Sequence, residues 1–155
     1  MAAWQARRKL PNRRRTTRQR FQVGDHTIYL GIGHFADGTV GEIFVKMDKE
    51  GDVVGALLDA FAISVSYGLQ HGVPLERFVD AYTFNRFAPF GPVQGHPRIK
   101  FCTSLLDLIA RYLGVEYLDR DELAQVAAED VMSPTAGPEA DVVEDIEDDI
   151  TEPPG

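Results

Sequence analysis

Phe21-Gln-Val-Gly-Asp-His-Thr-Ile-Tyr-Leu30 is the stretch on which the reading of this chain turns. Two runs of strand-forming residues, Phe21 to Val23 and His26 to Leu30, flank Gly24-Asp25, a dipeptide suited to a tight hairpin because glycine takes up positive φ without steric cost. Beyond Ile32 the pair Asp37-Gly38 gives a second hairpin signal. In the following Glu42-Ile-Phe-Val-Lys-Met47, the residues Ile43, Val45 and Met47 alternate onto one face. The economical reading is a three-stranded antiparallel meander, which needs helices packed on its apolar face to be stable.

Those helices follow in the chain. From Asp52 to Leu69, the residues Val54, Leu57, Leu58, Phe61, Val65 and Leu69 recur at helical spacing, and Ala60, Ala62 and Ile63 widen the stripe, so this helix is expected to be central. Gly72 and Pro74 end it, and Leu75, Phe78, Val79 and Tyr82 predict a shorter second helix. The segment from Phe84 to Arg98 is broken by prolines and glycines while carrying aromatics, which predicts a structured loop. Ile99, Cys102, Leu106, Ile109 and Leu113 line a third helix, and Asp119-Arg-Asp-Glu122 resembles a capping box starting a fourth through Leu123 and Val126. The expected class is α+β: a three-stranded antiparallel meander packed against about four helices, with disordered charged termini.

The termini carry opposite charge. Arg7, Arg8, Lys9, Arg13, Arg14, Arg15, Arg18 and Arg20 include no acidic residue among them, whereas Glu129 to Gly155 holds ten acidic residues and no basic one. Blocks of like charge repel themselves, so residues 1–20 are expected to be a basic arm or linker, 21–127 the folded domain and 128–155 an acidic disordered tail. No apolar run approaches the roughly 18 residues of a membrane span, and no apolar stretch follows the first arginines as in a secretory signal. The expectation is a cytoplasmic protein with no membrane partner. A single cysteine, Cys102, excludes an internal disulfide, a redox pair within the chain and a cysteine-rich zinc site.

Candidate sites are few. The loop residues Arg86, Phe87, Phe90, Arg98 and Lys100 combine aromatic faces with positive charge, which suits a nucleotide, a phosphate or an acidic partner; equally, the aromatics plug the end of the core and the arginines pair with Glu76 or Asp80. The basic arm suits nucleic acid, an association with the chain's own acidic tail, or the role of a solvated linker. Cys102 reads as a core residue, and His26, His34, His71 and His96 show no metal-ligand spacing, so no metal is expected. Gly31-Ile-Gly33 lies inside a strand pattern and lacks the third glycine and helix start of a dinucleotide loop.

Several blocks, in order, resemble one known domain: Leu10-Pro-Asn-Arg-Arg-Arg15, Gly38-Thr-Val-Gly-Glu-Ile-Phe-Val45 with Met47, Lys49, Glu50 and Gly51, Phe61 through Ala81, Arg86-Phe87 with Pro89, Gly91-Pro-Val-Gln-Gly95, Arg98-Ile-Lys100, and Thr103-Ser-Leu-Leu-Asp107 through Leu123. Over roughly Lys9 to Val126 the chain resembles the TSCPD domain at the C-terminal end of adenosylcobalamin-dependent (class II) ribonucleotide reductases. The resemblance implies a place in deoxyribonucleotide synthesis, where a cobalamin-generated thiyl radical attacks the ribose and a cysteine pair supplies electrons. With one cysteine and no catalytic barrel, the chain lacks a complete active site. The expectation is an accessory or regulatory component docked on a class II catalytic chain, with adenosylcobalamin only through that partner. Whether the domain has activity of its own stays open, and the alternative is a nucleic-acid- or protein-binding module using the arginine-rich arm.

Overall fold

The structure, a computed structural model, describes residues 5–131 and the backbone of residues 141–146. The Gly24-Asp25 turn, with Gly24 at φ +57°, joins strands β1 (Arg13–Val23) and β2 (His26–His34) with Val23 opposite His26. A two-residue hairpin keeps its strands in step, so the nine residues of β2 need a partner reaching back to Thr16, opposite Gly33. This corrects the expected start at Phe21: Arg13 to Arg20, read as a disordered arm, are the greater part of the longest strand. Strand β3 (Val40–Met47) completes the meander, pairing Ile32 with Ile43 and Leu30 with Val45.

The sheet extends further than three strands. Short strand β4 (Gly91–Gln94) forms inside the expected loop and β5 (Phe101–Cys102) where the third helix was expected to begin, and β4 joins β1 at Gln22 and Val23. Farther along the same edge of β1, residues Arg13 to Arg18 pair antiparallel with β6 (Asp141–Ile146) from the acidic tail, and the strand order is β3-β2-β1-β4-β5 with β6 on β1. The association of arm and tail weighed from charge alone therefore takes the form of a backbone ladder. Arg18, Arg15 and Arg14 stand in backbone register with Asp141, Glu144 and Asp145. The rest of the expected acidic tail, apart from a 3-10 turn at Ala128–Asp130, lies outside the described residues.

Among the described residues there are three α-helices, α1 (Asp52–Gln70), α2 (Leu75–Tyr82) and α3 (Leu105–Tyr117), with α2 packed on α3. The expected fourth is a single 3-10 turn, Asp121–Leu123, and α3 starts after Ser104, leaving Ile99 in the preceding loop and Cys102 in β5. The central helix is α3 rather than α1. Leu105, Leu108, Ile109, Tyr112 and Leu113 meet Phe21, Val23, Ile28 and Leu30 of the sheet in the core. Helix α1 instead flanks β3, burying Leu58, Ala62, Val65 and Leu69 while Val53, Leu57 and Ile63 face solvent. Its Ser66 hydroxyl accepts the Ile43 N–H at 2.9 Å and Gln70 donates to the Gly41 carbonyl at 3.0 Å, satisfying an edge strand that would otherwise offer free backbone groups. By length and composition α1 is also apolar enough to cross a bilayer, contrary to the sequence reading. Here its polar Ser66 and Gln70 face the sheet edge.

One buried charge pair locks α3 to the loops. The Ser104 hydroxyl caps the helix by accepting the Asp107 N–H at 3.0 Å. The fully buried Asp107 carboxylate accepts N–H groups from Phe84 (2.7 Å), Thr103 (2.9 Å) and the Arg111 side chain (2.9 Å), and Arg111 donates onward to the Leu123 carbonyl. Removing one partner of such a pair leaves an uncompensated charge, so Asp107→Ala is expected to lower stability by about 3–5 kcal/mol. In urea titration this reads as an earlier midpoint, with the Arg111→Met, Asp107→Leu double variant recovering part of the loss.

Candidate functional site

The loop predicted to hold a site is built from the Asp107 contacts outward. Asp107 fixes Phe84 at φ +68°, a left-handed conformation that is strained for a bulky residue, and the Arg111 guanidinium lies over the Phe84 ring at 5.0 Å. Thr103 ties the next turn, donating its hydroxyl to the Asn85 carbonyl and accepting the Phe87 N–H. The β4–β5 ladder then sets Gly91 opposite Cys102 and Pro92 opposite Phe101. Phe87, Phe90 and Phe101 are thereby gathered at one end of the fold.

These aromatics do not plug the core. Phe84, Phe87, Phe90 and Phe101 are 65%, 41%, 64% and 46% exposed. Arg86 is exposed beside them, but the other two predicted cations are committed elsewhere. Arg98 donates to the Val126 carbonyl and pairs with Asp121 at 3.0 Å, holding the segment after α3, and Lys100 donates to the His96 carbonyl. The five predicted residues therefore do not converge on one phosphate. The structure leaves four phenylalanines and Arg86 exposed along the segment from Phe84 to Phe101.

The arm residues are dispersed over the fold. Arg7 donates to Gln70 and lies over Tyr67, while Arg8 stacks on Phe35 at 3.9 Å and pairs with Asp37. Asp37 is held down to about 2, first by the Thr39 hydroxyl and amide and then by Arg8. Lys9 and Arg13 are engaged as well, and Arg14 reaches across Gly33 of β2 to Glu42 on β3 at 3.3 Å. A side chain at Gly33 would collide with Glu42, and one at Gly31 would begin 3.4 Å from the Phe44 ring, which accounts for the glycine pair without any nucleotide loop. Arg15, Arg18 and Arg20 are exposed on β1.

The remaining titratable groups serve the fold. His34 bridges the Arg15 carbonyl (2.6 Å) and the Tyr117 hydroxyl (2.8 Å), tying β1 to the end of α3. Burial raises the Tyr117 hydroxyl above its ordinary range. The His96 Nδ1 accepts the N–H groups of Arg98 and Ile99, so its Nε2–H donates to Glu116 at 2.8 Å. His26 stands 3.3 Å from Glu50 and His71 contacts the Gln5 carbonyl. Among the described residues no three His, Cys, Asp or Glu side chains are grouped as metal ligands.

Cys102 is fully buried, and burial followed by the nearby Asp107 charge pushes its thiol up to about 11. Its expected behaviour is inertness to alkylation below that pH until the chain unfolds. Unfolded, the thiol ionises near 9, so between pH 9 and 11 the folded chain holds more protons. Stability is therefore expected to fall as pH rises through that window. Denaturation of wild type against Cys102→Val at a series of pH values isolates this contribution. For the tail ladder, removing residues 132–155 is expected to speed amide exchange at the Arg13–Arg18 groups that face β6, while those bonded to β2 keep their protection.

Comparison with known proteins agrees with the sequence resemblance. The TSCPD domain family matches residues 5–117. Two curated relatives, each named vitamin B12-dependent ribonucleotide reductase, come from Agrobacterium fabrum, 50% identical over 84% of this chain, and Bradyrhizobium diazoefficiens, 51% identical over 77%. A third of that name from Rhodopirellula baltica is 35% identical over 78% of the chain. No solved structure matches. The chain spans 10% of the first two relatives and 12% of the third. With the family match covering most of the sequence and the α+β architecture in place, the chain belongs to the TSCPD domain family.

Proposed function

We propose that this chain is an accessory or regulatory component of B12-dependent ribonucleotide reduction that acts by docking on a catalytic chain and has no complete active site of its own. The observation that carries the reading is the exposed phenylalanine surface at Phe84, Phe87, Phe90 and Phe101. A row of large apolar side chains, positioned by a strained residue and a buried ion pair, is what an interface core looks like before its partner covers it. The exposed Val53, Leu57 and Ile63 on α1 add further uncovered apolar area.

Cobalamin does not fit the residues present. Among the described residues His34, His71 and His96 hydrogen-bond within the fold, His26 stands beside Glu50 with its buried Nδ1 lacking a hydrogen-bond partner, and Cys102 is sealed inside, so in this reading the cofactor and its radical chemistry belong to the partner chain. The test is retention of a B12-dependent reductase catalytic chain, lacking its own terminal TSCPD domain, on the immobilised full chain. Phe87→Ser, Phe90→Ser and Phe101→Ser are each expected to weaken capture about tenfold, in line with aromatic anchors at an interface centre. No capture by the wild type, or equal capture by the triple variant, would overturn the reading.

A further inference from the structure

The outer face of the sheet, opposite α3, carries a pattern that the docking reading does not use. Cross-strand register sets the rows Arg20–Tyr29–Lys46 and Arg18–Gly31–Phe44 side by side on three neighbouring strands. Tyr29 and Phe44 are 43% and 54% exposed, although aromatic side chains of this size are usually found in the core. They occupy diagonal positions, within reach of each other across the sheet, and Gly31 beneath Phe44 leaves its ring lying against the backbone. Arg18 and Arg20 flank the rings on one side and Lys46 on the other.

Charge on this face is available to a polyanion. Glu42 is occupied by Arg14, and among the described residues Lys46 pairs with the half-exposed Asp59, a bond that an incoming phosphate can replace. Beside Arg20 the sheet is notched by a cleft of about 440 Å³ lined in part by Gln22 and Gln94. On its far edge β1 already pairs with an extended acidic segment of the same chain, with Asp141 opposite Arg18. Two open rings at adjacent positions, bordered by guanidinium groups, suit a strand of unpaired bases, because every base offers a face for stacking and a phosphate at each step.

We propose that this face binds single-stranded nucleic acid, with Tyr29 and Phe44 stacking on neighbouring bases and Arg18, Arg20 and Lys46 holding the phosphates. The inference is independent of docking on a reductase. It is tested by fluorescence anisotropy of the full chain with labelled oligo-dT and oligo-U of about 20 nucleotides. Single strands are expected to bind and to be released by salt, the logarithmic slope being about −0.7 per phosphate contacted. Tyr29→Leu and Phe44→Leu, which keep an apolar side chain and remove the ring, are each expected to weaken binding about fivefold to a hundredfold, while Phe44→Trp retains it. Replacing Arg18 and Arg20 by glutamine is expected to flatten the slope by about 1.4.

Circular dichroism melts of each variant separate lost binding from lost folding. Four results would overturn the proposal: no binding of either oligonucleotide, binding indifferent to the leucine variants, duplex bound as tightly as single strand, or loss that follows only the neutralisation of Arg7, Arg8 and Lys9. The last would assign the affinity to the N-terminal segment. A protein partner captured through Tyr29 and Phe44, with no oligonucleotide binding, would equally replace nucleic acid as the occupant.

Discussion

The fold depends on a carboxylate that has no contact with water. Asp107 sits in the first turn of α3, and the three N–H groups it accepts come from Phe84 after α2, from Thr103 before α3 and from Arg111 one turn along the helix. A buried charge is tolerated only when its hydrogen bonds are made, so these segments are obliged to arrive together. Through Arg111 the obligation reaches Leu123, and through Thr103 it reaches Asn85 and Phe87. The segment between α2 and α3 is thus held by these polar bonds at its two ends and by Val93, Ile99 and Cys102 buried in the core between them. That is why its phenylalanines are free to face outward.

What was legible in the sequence follows from which signals were local. The two glycine-centred turns and the alternation of β3 depend only on neighbouring residues, and both hairpins formed where they were read. The first half of β1 is hidden because its buried and half-buried positions, Arg14, Thr16, Thr17 and Gln19, are polar, and arginine density reads as disorder. The missed signal was length: β2 reads as strand to Ile32 and beyond, and a tight hairpin requires an equal partner. The hierarchy of helices was misread for a related reason. α1 has the wider apolar stripe, whereas α3 carries Asp107 and Arg111 in its buried surface, which interrupts the pattern that marks a core helix.

The candidate site was half legible. Phe87, Phe90 and Arg86 lie where composition pointed, at an exposed and structured loop. Arg98 and Lys100 looked available because sequence shows charge but not the carbonyls that consume it, here those of Val126 and His96. The pairing of Tyr29 with Phe44 across the diagonal could not be read from either segment alone, since it exists only once β2 and β3 are in register. A chain with net charge −8 also gives no hint that cations gather on one strand face.

The eleven residues of β1 have a practical bearing on how this module can be joined to other polypeptides. Its basic composition invites a splice just before Phe21, as though the arginines were a tether. Such a joint would strip the middle strand of the sheet down to three residues and leave one flank of β2 unpaired over most of its length, an open template for other chains. A fusion that respects the architecture must enter upstream of Leu10, whose side chain packs over Gly41. The apparent tether is the keel of the domain.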